Sequence, residues 1–436
     1  MNAERVLELA KRRSQEAEVY HRHAVSVPVL YDHSRLKSIR TVENTGVALR
    51  VTVDGRVGVS TSTRPDDEET LVDNAVAAAR FGPEARFRFA PAGRPPARDV
   101  FDPQVDSLPL DRMVDLGNEL VQSLAAVDRK IMVSAGVEKE TLAVRILTSQ
   151  GFDGRYRKTF FGVSFGGELV EGENMLQAYR YAEGTRLNLD VAGVRQPVLE
   201  AFRLGRNNVP LASGSYPVLL TPFAVQDVLR CAVASLSGRA VEKGISPWKA
   251  SRGNRVLHPS ITIWDDGTMP EGAGSADFDD EGVPRQRTVL VEKGVLKDFY
   301  VDLQTAAVLG APPTGNGLKP GLEGTPVPSL TNLVLAPGDR PFRELLAGIK
   351  EGVLIDLLLG TFAGNPYGGV VSGNVMLGYK IEGGQLTGRV KNVMFSTNTF
   401  ESLATSLAGL SSEVEWVGNY RLPYVLLEDV HLAGRS

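Results

Sequence analysis

Long runs of alternating apolar and polar residues, broken only by turn residues, fill the first half of the chain. A period of two restricts such segments to half-buried, largely antiparallel strands. Glu18 to Val29 reads E-V-Y-H-R-H-A-V-S-V-P-V, and G-V-A-L-R-V-T-V-D-G-R-V-G-V-S-T-S begins at Gly46. Asp54-Gly55 supplies the positive-φ pair of a tight turn, so the second run is two strands of a hairpin. Leu30 to Arg40, between the runs, is expected to continue extended. Four more strand-like segments occupy 130–140, 141–149, 156–169 and 174–182.

Helical patterns separate these groups. Glu4 to Glu16 gathers Val6, Leu7, Leu9 and Ala10 on one face, with basic residues toward its C-terminal end. Asp66 to Phe81 has an acidic first turn and an Ala/Val face, and Asp111 to Ala126 is amphipathic. Helix, strands, helix, strands is an α+β order. A chain of 436 residues exceeds one ordinary core, so two domains are expected. The first, 1–210, is a helix-plus-antiparallel-sheet domain with two possible sub-layers joined by the Pro/Arg/Ala-rich linker at about 83–109. Turn residues cluster at Gly205 to Ser215, and a β-rich C-terminal domain is expected over 211–436.

The formal charge of −4 argues against nucleic acid as the main partner, because phosphate binding needs a dense basic surface. A single cysteine, Cys231, cannot form an intramolecular disulfide and suits a reducing compartment. The charged N-terminus and the lack of a membrane-length apolar run lead to the expectation of a soluble cytoplasmic protein.

Few residues invite chemistry. His21 and His23 share one strand face, but no carboxylate or cysteine stands close in sequence, so a solvated face is the reading. Gly162 to Gly166 matches the G-x-S-x-G pattern around Ser164. That motif requires a strand-to-helix turn, and alternation continues here on both sides. Thr221-Pro222 opens a predicted helix over about Phe223 to Leu236, within which Cys231 is an inert buried thiol. Asp265 to Asn332 is the most distinctive stretch: a Gly/Asp-rich loop, a hairpin, a short amphipathic segment, and a second Gly-rich loop leading to a strand. Asp277, Asp279, Glu281 and Gly282 fit the start of a calcium loop. Thr288 stands where its bidentate glutamate belongs, and no helices flank it. Carboxylates accepting backbone N–H groups in a tight turn are expected instead.

Ordered blocks along almost the whole chain resemble the TldD/PmbA family. They include G-V-A-L-R-V-T-V-D-G-R-V-G, N-A-V-A-A-A-R-F-G, F-D-D-E-G-V-P, L-V-E-K-G-V-L-K-D-F-Y-V-D-L, T-G-N-G, P-S-L-T-N-L and S-G-N-V-M-L-G-Y-K-I. The resemblance implies a peptidase component from one of two branches. In the TldD branch a helix carries H-E-x-x-x-H and a late cysteine completes a zinc site. Aligning on Ala240-Val241 places Gly238 and Lys243 at the histidines, Arg239 at the glutamate and about Leu422 at the cysteine. The chain is therefore similar to the TldE (PmbA) branch, with no catalytic, cofactor or metal residues of its own. Zinc is then expected in a TldD-type partner of a heterodimeric metallopeptidase acting on extended peptides, such as unfolded chains or leader peptides. The alternatives are a self-sufficient homodimer, with a metal site drawn from Asp265–Asp266 and Asp277–Glu281 or as a binding module, and a gyrase-directed regulator.

Overall fold

The structure, a computed structural model, describes residues 1–64 and 66–434. It opens with α1 (Ala3–Lys11), capped by the Asn2 side chain on the Arg5 N–H. The helix is shorter than its pattern suggests, because Glu16 already begins a strand. The first sheet contains β1 (Glu16–Asp32), β2 (Arg35–Ile39), β3 (Val42–Val53) and β4 (Arg56–Ser62). After α2 (Glu68–Ala79), α3 (Pro103–Asp106) and α4 (Leu110–Ala125) it is completed by β5 (Met132–Thr148), β6 (Asp153–Glu171) and β7 (Asn174–Gly184). Its order is β4-β3-β1-β5-β6-β7, with β2 paired to β1, and every pairing is antiparallel.

Two local expectations change. Leu30 to Arg40 does not run straight: the chain reverses at His33-Ser34, both at positive φ (49° and 61°), to make β2. The segments at 130–140 and 141–149 are one strand, β5, paired throughout with β6. The Asp54-Gly55 turn forms as predicted, at φ 49° and 72°. The linker region is not loose, since Phe89, Ala90 and Val100 within it are buried.

An unforeseen helix, α5 (Val191–Leu204), precedes β8 (Asn208–Val209) and β9 (Gly214–Leu220). The predicted helix at Thr221 is α6 (Pro222–Ser235), followed by the short α7 (Gly238–Glu242). The distinctive stretch then supplies β10 (Ile263–Asp266), β11 (Arg287–Glu292), β12 (Val295–Leu296), α8 (Leu303–Leu309), β13 (Gly317–Leu318) and β14 (Val327–Pro328). The remainder is β15 (Leu333–Leu335), α9 (Phe342–Ala347), β16 (Glu351–Leu359), β17 (Val370–Glu382), β18 (Gln385–Val390), β19 (Met394–Asn398), α10 (Thr399–Thr405), β20 (Leu407–Val417) and β21 (Tyr420–Ala433).

The second sheet has 12 strands, with the path β12-β11-β10-β15-β21-β9-β16-β17-β18-β8. Helix α6 lies against it, burying Val225, Val228, Leu229 and Ala232 with strand residues such as Val218, Ile355 and Val425. A second core joins the two sheets: Phe165 and Leu176 of the first share it with Leu219, Leu354 and Leu377 of the other. Chains of this size are stable because such cores remove much apolar surface from water.

Candidate functional site at the junction of the sheets

The four positions singled out by resemblance do not assemble into a site. Helix α6 ends at Ser235, and Gly238 starts a separate five-residue helix. The Gly238 N–H donates to the Tyr300 carbonyl at 2.9 Å. A Cβ at Gly238 would stand 2.5 Å from Val301 Cγ1 and 3.1 Å from Thr305 Oγ1, so no side chain fits there. Arg239 faces Glu242, Lys243 is exposed, and Leu422 is packed in the apolar core on β21. A zinc ion needs nitrogen, sulfur or oxygen donors converging at about 2.0–2.3 Å. Gly238 and Leu422 offer none, so these residues do not fit the metal. Among the described residues, no three of His, Cys, Asp and Glu are grouped as metal ligands.

In the acidic stretch the carboxylate oxygens are already engaged. Asp279 Oδ1 accepts from the Glu281 and Val283 N–H groups, both at 2.9 Å, and its Oδ2 accepts from Gly317 N–H at 2.8 Å. Asp265 accepts from Thr331 N–H at 2.8 Å, Thr331 hydroxyl at 2.6 Å and Asn316 amide at 2.7 Å. Burial raises both carboxyls above the ordinary range, against these donors. The network ties the two Gly-rich loops together and leaves those oxygens little capacity for a cation.

The same stretch reaches the first sheet through a buried ion cluster. Arg50 on β3 donates Nε and Nη2 to the two oxygens of Glu18 on β1, each at 2.8 Å. Its Nη1 donates to Glu281 Oε1 at 2.9 Å, and Glu281 Oε2 accepts from Leu303 N–H at 2.7 Å, in the first turn of α8. Phe87 and Phe89 cover the guanidinium at 5.5 and 5.2 Å. Burial, with repulsion from Asp279 and Asp302, pushes the Glu281 carboxyl up, while Arg50 and the Leu303 N–H pull it down. Arg50 itself is held protonated by its two carboxylates, which outweigh desolvation.

Beside this cluster, polar groups of the first sheet meet loops of the second. Lys158 donates to the Ala273 carbonyl, and burial with the nearby Arg285 charge lowers its ammonium to about 8. Lys319 stands 5.6 Å over the Tyr20 ring and is likewise lowered to about 8, first by burial and then by Arg50. Farther along the same sheet face, Leu30, Gly136, Ser164 and Tyr181 stand in register across β1, β5, β6 and β7. This end borders an open cleft of about 680 Å³, lined by Ser134, Ser164, Gly166, Tyr179 and Tyr181 of the first sheet and by Met376 of β17. Phe223 at the start of α6 packs edge-on against both tyrosines, at 6.4 and 5.4 Å. A groove with a floor of small residues and aromatic walls can take an extended chain and its side chains.

Ser164 therefore lies mid-strand, away from any strand-to-helix turn. His23 Nδ1 meets Thr45 Oγ1 at 2.6 Å and Glu43 at 3.7 Å across β3, a carboxylate that sequence distance concealed. Cys231 is buried in α6 and its thiol is raised by that burial. The Arg50–Glu18–Glu281 cluster and the tyrosine-lined cleft escaped the sequence reading. Their members are far apart in the chain, and only alternation marked the strands that carry them.

Two sheets that share a core, the second backed by α6, and a cleft lined by residues of both make up an α+β scaffold. The description "PmbA/TldA metallopeptidase C-terminal domain" matches residues 213–434, and "PmbA/TldA metallopeptidase domain 1" matches 17–79. The chain belongs to the TldD/PmbA metallopeptidase family. It is 26% identical to an uncharacterized protein of Methanocaldococcus jannaschii, over 98% of this chain and 99% of that one. A metalloprotease TldD homolog of Haemophilus influenzae is 30% identical over 57% of this chain, which there spans only 54% of the relative. In fold the chain is similar to TldE from Thermococcus kodakarensis, with a TM-score of 0.89 and 21% identity over 99% of each chain.

Proposed function

We propose that this chain is a non-catalytic, TldE-type subunit of a heterodimeric TldD/TldE zinc metallopeptidase that degrades or processes unfolded or leader peptides. The observation that carries the proposal is a metallopeptidase-family chain without the metal-binding signature. None of its five histidines stands in H-E-x-x-x-H. The aligned ligand positions hold Gly238, Lys243 and about Leu422 and the base position Arg239, and Gly238 and Leu422 are enclosed by core packing. In this reading, zinc and the water it activates belong to the TldD-type partner. The present chain contributes walls, a sheet surface for extended peptide, and closure of the chamber. It works as two domains, 1–210 and 211–436, held together by the Arg50 cluster.

The test is reconstitution. The chain and a TldD-type partner are purified separately and together, with metal content and cleavage of an unfolded peptide measured for each. The expected result is zinc in the partner and cleavage by the mixture well above that of either chain. Stoichiometric zinc and full peptidase activity in this chain alone would overturn the proposal.

A further inference from the structure

Strand alternation turns the G-x-S-x-G run of β6 into a floor. Val163 and Phe165 are buried on the helix-covered face, so Gly162, Ser164 and Gly166 share the opposite one. Three register rows follow one another there. Gly166 pairs with Ser134 and Tyr179, Ser164 with Gly136 and Tyr181, and Gly162 with Glu138 and Glu183. The first two rows form the cleft end, where Leu30, Met132 and Tyr179 leave apolar surface 37%, 37% and 44% exposed. The third row continues the floor beyond it.

In that third row Glu138 of β5 and Glu183 of β7 flank Gly162, about 10 Å apart across three strands. A Cβ at Gly162 would stand 3.0 Å from Phe160 Cε1, so an aromatic ring lies beside the glycine. Among the described residues neither carboxylate has a hydrogen bond or an ion pair. Burial raises both, Glu140 repels Glu138, and Glu138 repels Glu183 against the pull of Lys158. The nearby cations are engaged elsewhere: Arg22 lies 3.6 Å from Glu140, and Lys158 donates to the Ala273 carbonyl. At the far rim Asp32 holds both His33 and Lys37 at 2.9 Å. The β20–β21 turn overhangs this end, with a Cβ at Gly418 placed 3.5 Å from Glu183 Oε1, and Val417 to Asn419 there bring no charge.

We propose that these rows select the peptide: an apolar residue over Ser164 and Gly166, and a lysine or arginine two positions away between Glu138 and Glu183. The proposal deepens the preceding reading and takes from it that the ligand is an extended peptide. A chain laid along β6 repeats its side chains on one side every two residues, about 7 Å, which is also the spacing of the rows. A basic side chain brings N–H donors to two carboxylates that have none, and its charge rests beside the Phe160 ring. An acidic side chain would add a third negative charge. No third metal-ligating residue joins the pair among the described residues, so the charge complementarity selects an organic cation.

The probes are the labelled, end-blocked peptides Ala-Ala-Phe-Ala-Lys-Ala-Ala and Ala-Ala-Phe-Ala-Glu-Ala-Ala, titrated into the full chain at low salt by fluorescence anisotropy. The lysine peptide should bind about tenfold more tightly. Glu138→Gln combined with Glu183→Gln should abolish that preference without lowering thermal melting, and Glu401→Gln, exposed on α10, should leave it intact. Ser164→Cys locates the peptide independently. Cys231 is buried, so the new thiol is the reactive one, and the lysine peptide should slow its labelling by a maleimide. Equal affinity for the two peptides, an unchanged preference in the double variant, or an unshielded thiol would overturn the subsite. Cleavage of both peptides by the mixture with a TldD-type partner separates this proposal from the preceding one. Equal cleavage of the two overturns the subsite and leaves the heterodimer standing. Cleavage of neither, with the binding preference intact, overturns the heterodimer and leaves the subsite.

Discussion

Arg50→Met tests whether a buried ion cluster joins the two sheets. The substitution keeps an unbranched apolar stem but deletes three charge-assisted hydrogen bonds, two at 2.8 Å to Glu18 and one at 2.9 Å to Glu281. It also removes the cation from between Phe87 and Phe89. Glu18 and Glu281 would remain buried without a counter-charge, a situation that costs about 3–5 kcal/mol. That is a large share of the ~5–15 kcal/mol by which folded proteins exceed their unfolded states. The loss is measured by urea denaturation at pH 7, followed by far-UV circular dichroism and tyrosine fluorescence. Burial already raises the Glu281 carboxyl to about 8, and loss of Arg50 removes the charge that pulls it down, so it would lie higher still above its unfolded value. The contribution of that group is then fully present below the unfolded value and is lost as pH rises through the folded value. The penalty should therefore be larger at pH 8 than at pH 5. Adding Glu18→Gln and Glu281→Gln should recover much of the loss, because neutral amides cost less to bury than unpaired carboxylates. A loss below about 1 kcal/mol for Arg50→Met, or no recovery in the triple variant, would refute the argument.

Other changes probe the packing around the candidate site. Gly238→Ala should destabilise by about 1–3 kcal/mol in thermal melting, because the new methyl meets Val301 and Thr305, and Gly238→His should cost more. Lys158 releases its proton more readily in the fold than in the unfolded chain, with its pKa lowered to about 8. The unfolded chain therefore binds the extra proton, and stability should rise from about pH 8 toward the ordinary lysine value near 10.4. Lys158→Met should flatten that rise in paired urea titrations. The Leu322 side chain occupies the notch left by the missing side chain of Gly46. Gly46→Val should drive it out and expose the 320–324 loop to limited proteolysis, while a cleavage rate equal to wild type would show that the contact does not hold the loop.

Local patterning carried much of the architecture. Alternation identified the strands of the first sheet, Asp54-Gly55 its turn, and Thr221-Pro222 the start of α6. It failed where the local signal was weak or contrary. His33-Ser34 adopt positive φ without glycine or asparagine, so the β1–β2 hairpin read as continuous strand. Pro197 sits inside α5, a helix that has no counterpart among the sequence expectations. The acidic stretch was legible as structural because its spacing failed the calcium pattern. The identities of its donors were not, since Gly317 and Thr331 reach it from the second Gly-rich loop.

By itself the sequence determined the α+β class and the strand periodicity. It also determined the lack of an H-E-x-x-x-H signature, because these depend on residue type and short spacing. Only the tertiary structure decided that Arg50 meets Glu281, 231 positions away. It also decided that Gly238 has no room for a side chain. Each of those facts depends on which surfaces the two sheets bury against each other. That choice is set by packing of the whole chain and leaves no periodic trace in any one segment.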